Sequence, residues 1–220
     1  MSGQGAAADP ERALAALLAE VRACDRCAAH LPLGPRPVLR ARATARVLVA
    51  GQAPGTRVHE TGVPFNDPSG DRLREWMGID RDLFYDDRRI AIVPQGFCYP
   101  GRDDRGGDRP PRPECARLWH PRLIPLLPNI ELTLAIGRYA QAWHLGGRRK
   151  SNLTATVRAW RDYMPRVMPL PHPSWRNTAW LGRNPWFEAE AVPALRAALE
   201  RLLAEPAAGD GRLSGESPGR

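Results

Sequence analysis

No apolar run in the 220 residues approaches the ~20 consecutive positions needed to cross a bilayer, so a membrane-spanning role is not expected. The first two dozen residues contain acids and no apolar block preceded by basic ones; they do not read as a secretion signal, and a cytoplasmic protein is expected. Lysine is almost missing: of 32 basic residues only Lys150 is not arginine. Cysteine is scarce, with four in all, too few for a disulfide scaffold of this size. Internal repeats are absent. The glycine-rich stretch Gly51-Gln52-Ala53-Pro54-Gly55 is not followed by the Lys-Ser/Thr that a nucleoside-triphosphate loop requires, which removes that class.

What is present is a globular composition, 43% hydrophobic, with a formal charge of +8. A basic surface gains affinity for nucleic acid by displacing condensed counterions, so a polyanionic partner is expected. The arginine bias can equally reflect codon composition, so charge alone does not name the partner. Residues 1–9 and 205–220 have the composition of disordered segments, and 10–204 reads as one domain.

Four short strands are expected at Arg46–Ala50, Arg89–Val93, Ile130–Ile136 and Arg166–Leu170, each built on apolar residues and alternating with stretches of helical period. The pattern predicts an α/β fold, a three-layer αβα arrangement around a central four-stranded parallel sheet. The first strand runs into Gly51–Leu73, a loop rich in glycine and proline, and then a helix opened by Ser69 or Asp71. The last helix is expected from Pro185 to Ala204. A loop at the carboxyl end of a buried strand is where open α/β sheets place ligands. The last strand delivers the chain to a second such loop, Pro171-His172-Pro173-Ser174-Trp175-Arg176-Asn177.

The cysteines fall as Cys24-x-x-Cys27 at the end of a helix and as Cys98 and Cys115 on either side of a proline-rich loop. In a reducing compartment four thiolates so grouped fit an iron-sulfur cluster, with zinc as the alternative occupant and unrelated thiols as the plain one.

Taken together, GQAPG, Phe65 fourteen residues after Gly51, and His172-Pro173-Ser174 resemble the two signature motifs of the uracil-DNA glycosylase superfamily. The likeness extends to the iron-sulfur-containing family 4 type, through Gly62, Pro64 and Phe65 and through all four cysteines, over roughly residues 20–200. That resemblance implies a monofunctional hydrolase of DNA repair that removes uracil or another deaminated base and leaves an abasic site. It would work as a nucleoid-associated monomer with a 4Fe-4S cluster on Cys24, Cys27, Cys98 and Cys115. Its partner would be DNA containing uracil or a deaminated base.

The roles follow from chemistry that requires the base to leave the stack. Phe65 is expected to stack on the base and His172 to donate to O2 of the departing pyrimidine. Gln52 and Ala53 offer backbone N–H groups to the same region, and Gly55 leaves space beside the base. Ser174 is expected to grip a phosphate, and Trp175, Arg176 and Asn177 to meet DNA, one of the first two as a wedge. Taken singly, Phe65 would read as core, His172 as a structural histidine, and Trp175 and Arg176 as surface. Their spacing moves the reading.

The chain departs from the resemblance in two places. Gln52 stands where family 4 has Glu, and Ala53 where other members have the water-activating Asp; His59, Glu60 and Asp67 are the nearby substitutes, Asp67 foremost. An Asn that reads the uracil edge is replaced by Pro94 or Gln95, of which Gln95 carries both an acceptor and a donor. The losses keep open a catalytically lost relative that binds abasic or single-stranded DNA, and a hydrolase of free nucleosides.

Overall fold

The computed structural model describes residues 9–104 and 106–204. The two terminal segments expected to be disordered therefore lie outside the described residues, apart from Asp9.

In chain order the elements are α1 (Pro10–Arg22), β1 (Val47–Ala50), α2 (Thr56–Thr61), α3 (Pro68–Met77), α4 (Arg81–Tyr85), β2 (Ile90–Ile92), α5 (Pro113–Leu123), β3 (Leu132–Ile136), α6 (Gly137–Leu145), α7 (Leu153–Arg158), β4 (Val167–Leu170), α8 (Thr178–Arg183) and α9 (Val192–Ala204), with short 3-10 turns between. The four strands form one parallel sheet in the order β2-β1-β3-β4. This is the αβα architecture that the alternation of strands and helices predicts. Every strand residue is buried, as parallel strands covered on both faces must be.

Alternation along the strands feeds two cores. Val47, Val49, Ile90, Ile92, Leu132, Leu134 and Ile136 pack with α3 and α9, while Leu48 and Ala91 pack with α1 and α5 on the opposite face. The order places a switch point between β1 and β3, whose following connections leave toward opposite sides. A crevice at the carboxyl ends of the strands results. Among the described residues no helix is long and apolar enough to cross a membrane.

Local chemistry shifts several expected boundaries. Helix α3 is opened not by Ser69 or Asp71 but by Asp67, whose carboxylate accepts from the Gly70 amide at 2.9 Å while Pro68 fills the first turn. Asp67 is the earliest residue in Asp-Pro-Ser-Gly-Asp able to cap, and the proline after it fixes the start. The loop after β1 contains a further turn of helix, α2, closed by Gly62 at φ 70°. The last helix does not run uniformly from Pro185: residues Phe187–Ala191 are π-helical before α9 begins, because Pro193 has no amide to continue the α pattern.

Candidate functional site

The loops after β1, β3 and β4 meet at the crevice. Gly51, the first residue past β1, lies under the Phe65 ring: a Cβ there would sit 3.1 Å from the ring's Cζ. Phe65 itself has φ 54°, a left-handed conformation that non-glycine residues rarely adopt. Three contacts hold it. Its carbonyl oxygen lies 1.7 Å from where a Gly70 Cβ would stand and accepts from Arg74 Nη1 at 3.4 Å, and the preceding carbonyl, Pro64, accepts from the Tyr85 hydroxyl at 2.8 Å. The ring packs edge-on against Phe84. The result is an aromatic face held at the mouth of the crevice.

The second wall is the His-Pro-Ser turn. The Ser174 amide donates to His172 Nδ1 at 3.3 Å, and the Asn177 side chain donates to the His172 carbonyl at 2.7 Å. An Nδ1 that accepts must be unprotonated, which assigns the proton of the neutral ring to Nε2. Burial lowers the His172 pKa below the ordinary histidine value, against the pull of Asp67 and Asp108, so the neutral donor form holds at neutral pH. Gly137, just past β3, leaves room for this ring, its would-be Cβ lying 3.9 Å from His172 Cδ2. Arg72 of α3 ties the two walls by donating to the Ser174 carbonyl at 3.1 Å.

Between the walls is a cavity of about 100 Å³, lined by Gln52, Ala53, Gly55, Phe65, Asp67, Pro94, Asp108, His172 and Ser174 among others. That is well above the ~10–15 Å³ a single water needs, so a small planar ligand can enter. An apolar face, a neutral imidazole donor and two carboxylates share one space. Gln52, Ala53, Gly55, Phe65, Asp67, His172 and Ser174, all singled out in the sequence, converge here.

Others lie elsewhere. His59 is outside the cavity; it sits on α2, its ring tilted against Tyr99 at 6.2 Å, with a buried Nδ1 that has no hydrogen-bond partner among the described residues. Gln95 is only 4% exposed and does not line the cavity, because its amide extends the β1 pairing by donating to the Gly51 carbonyl and Pro94 takes the wall position instead. Trp175 is 70% exposed beside the cavity. Arg176 lies over the Trp175 ring and donates to the Gly106 carbonyl at 2.8 Å. Asn177, expected to meet DNA, braces His172 as described.

Asp108 is the residue the sequence reading missed. It sits on the loop between Cys98 and Cys115, which also holds Asp103 and Asp104, and no local signal separates the three. The one clue is Gln52, whose amide reaches that loop by donating to the Arg109 carbonyl at 3.2 Å.

The four cysteines are free thiols and line a second cavity, with Phe97, Arg112, Leu118 and Trp119 around them. Cys24 and Cys27 follow α1, Cys98 follows β2 and Cys115 lies in the first turn of α5. The Phe97 amide faces Cys115 Sγ at 3.4 Å. Burial pushes the Cys98 thiol up to about 11 and the Cys115 thiol up to about 12. Among the described residues no group of three or more His, Cys, Asp or Glu side chains is gathered to hold a single metal ion. Four soft sulfur donors around one space nonetheless fit the chemistry of a thiolate-bound group.

The sequence profile of the Uracil DNA glycosylase superfamily matches residues 40–196, a span that holds both cavity loops. The solved structures include one similar chain from Methanosarcina acetivorans, determined by solution NMR and provisionally named a uracil DNA glycosylase. It shares 16% identity with a TM-score of 0.44, over 74% of this chain and 98% of that one.

Proposed function

This chain belongs to the uracil-DNA glycosylase superfamily, and from that premise we propose that it hydrolyses the N-glycosidic bond of uracil, or of another deaminated base, in DNA. The single observation that carries the reading is the shared cavity of Phe65 and His172, with the histidine neutral and its Nε2 proton free.

A base in duplex DNA cannot reach that cavity without leaving the stack, and the cost of extrusion is lowest where deamination has left a mispair. Phe65 stacks on the extruded ring. As the bond to C1′ lengthens, the electron pair goes to the pyrimidine, and negative charge grows on O2. His172 Nε2–H donates to that oxygen, and the bond strengthens as the charge develops, so the transition state gains more than the ground state. Asp67 opposes the positive charge growing on the sugar. Gly55 leaves the space beside the pyrimidine open, which favours a tolerant base preference. Ser174 and its neighbouring amides meet a phosphate, Arg176 adds positive charge, and Trp175, already exposed, fills the gap left by the base.

Cys24, Cys27, Cys98 and Cys115 would hold a 4Fe-4S cluster, zinc being the other occupant their chemistry admits. Such a group would crosslink α1 to both ends of the 98–115 loop and do no redox work. The protein would act as a monomer on DNA in the cytoplasm, at the nucleoid.

The test is a labelled oligonucleotide containing uracil, hypoxanthine or xanthine, single- or double-stranded, treated with protein and then alkali. Strand scission at the modified base is expected. His172→Ala should lower the rate about 10²–10³-fold, the cost of removing one such donor, with binding retained. No base release from any substrate, together with tight salt-sensitive binding, would instead establish the second reading, a relative that binds abasic or single-stranded DNA; the loss of acids at 52 and 53 is what favours it.

A further inference from the structure

Hydrolysis of a glycosidic bond consumes a water, and the water's proton needs an acceptor beside C1′. At the exit of β1 the chain offers Gln52 and Ala53, neither of which takes a proton at neutral pH. Among the described residues two carboxylates line the cavity, Asp67 and Asp108. They are held differently. Asp67 is committed to α3: its Oδ1 accepts from the Gly70 amide, and its charge faces the helix N-terminus. No described residue hydrogen-bonds or ion-pairs with the Asp108 carboxylate, and its Oδ2 lies 3.9 Å from where a Gly55 side chain would begin, both residues lining the cavity.

The loop that carries Asp108 is fastened by both motif loops. Gln52 Nε2 donates to the Arg109 carbonyl at 3.2 Å, and Arg176 Nη2 donates to the Gly106 carbonyl at 2.8 Å. Within the loop the Arg109 amide donates to the Gly101 carbonyl at 2.9 Å, and Arg102 and Asp108 form an isolated β-bridge. Gly96 lets the loop lie close, its would-be Cβ only 2.9 Å from Pro111. The amide at position 52 thus does what an acid there could not: it donates to the backbone next to Asp108. The carboxylate missing from the strand end is supplied from another part of the chain.

We propose that Asp108 is a catalytic residue, the general base that takes a proton from the attacking water, an inference that rests on the glycosylase reading above. The water oxygen bonds to C1′ as the C1′–N bond breaks. The electron pair of that bond leaves with the base, where His172 holds it, and the water's proton passes to the Asp108 carboxylate and then to solvent. The groups facing Asp108 are Arg102 and Arg176, which favour its ionised form, Asp67, which disfavours it, and His172, which favours it only when the ring is itself protonated; partial burial has the largest effect and raises its pKa above the ordinary aspartate value. A base so poised loses activity as the pH falls through that raised value.

The experiment compares wild type, Asp108→Asn, Asp108→Ala and Asp67→Asn in single-turnover excision across the acid and neutral range. Thermal melting and affinity for DNA carrying a non-hydrolysable 2′-fluoro deoxyuridine are measured beside it. The expected result for Asp108→Asn is a rate loss of ~10² or more with the acid limb of the profile gone and affinity unchanged, and partial rescue of Asp108→Ala by formate. A loss smaller than about tenfold, or a larger loss with the acid limb intact and no formate rescue, overturns the assignment while base release by the wild type keeps the glycosylase reading. If the Asn and Ala variants melt early, Asp108→Glu decides: retention of the acid limb supports a base, and its loss along with stability means a loop-shaping role and overturns it. A wild type that releases no base overturns the glycosylase reading and this inference with it.

Discussion

Replacing Gly70 with alanine puts the positioning of Phe65 to a numerical test. The added Cβ would lie 1.7 Å from the Phe65 carbonyl oxygen and 2.7 Å from its carbon. Such contacts are essentially never closer than 3.0 Å, so the Phe65 backbone must retreat by 3.0 − 1.7, about 1.3 Å, or α3 must move instead. Neither moves freely. The Phe65 segment is fixed by Arg74 and Tyr85, and α3 carries the buried Leu73, Trp76 and Met77. Overpacking of this kind costs roughly 1–3 kcal/mol, which in a domain of about this size lowers the melting temperature by roughly 2–12 °C. A displacement of about 1 Å in a substrate-positioning group costs ~10²-fold in rate. Gly70→Ala should therefore remain folded, melt within that interval below wild type, and lose on the order of 10²-fold in kcat/KM for uracil excision, with most of the loss shared by Phe65→Ala. Calorimetry and single-turnover kinetics read the two effects separately. A variant matching wild type in both would show that Phe65 is not held by this contact, and the account of its strained backbone would fall.

Two further outcomes follow from other parts of the molecule. Cys98→Ser or Cys115→Ser should abolish the visible absorbance of a thiolate-bound iron cluster in freshly purified protein and lower the melting temperature, read by spectroscopy and metal analysis; preparations of wild type without bound metal would refute the cysteine assignment. His144, whose buried Nε2 lacks a hydrogen-bond partner among the described residues, has its pKa lowered to about 4 by burial and by neighbouring His120, itself lowered by burial. Both are neutral in the fold and charge more readily when unfolded. Stability is then full above ~6.5 and declines as the pH falls toward about 4, by up to ~1.4 kcal/mol per pH unit per proton. Urea titrations at stepped pH should show that decline, and His144→Phe should flatten it; a His144→Phe curve parallel to wild type would count against the buried histidine as its source.

The sheet was legible because a parallel sheet covered on both faces demands strands that are apolar almost throughout, and Val47–Ala50 and Leu132–Ile136, with Thr133 as its one polar residue, supply them. Phe65 and His172 were legible through spacing: each is ambiguous alone, and only a shared sheet edge brings them together. What stayed hidden was set by tertiary contact. Asp67, Ser69 and Asp71 can all cap a helix, and it is Pro68 and the close approach of Gly70 to Phe65 that select the first. Gln95 has the functional groups of a base reader, but pairing of its amide with Gly51 buries its side chain away from the cavity. His59 is near the first motif in sequence, but it is Val58 of α2 that lines the cavity while the His59 ring lies against Tyr99. Asp108 lies more than 50 positions beyond Gln52, and no pattern in a loop of aspartates and glycines distinguishes the one that reaches the cavity.

The segment from Cys98 to Cys115 acts as a ruler. Thiols sit at both of its ends and a cavity wall at its middle, and two side chains from opposite edges of the crevice grip it on either side of Asp108. Many of its described side chains are exposed, and apart from Asp108 these can change, but the length of the segment cannot. One residue added between Gly101 and Asp108 lengthens the path by up to ~3.5 Å, more than the whole length of a hydrogen bond. Substitutions at the exposed positions of this stretch other than Asp108 should be tolerated where a single insertion or deletion is not.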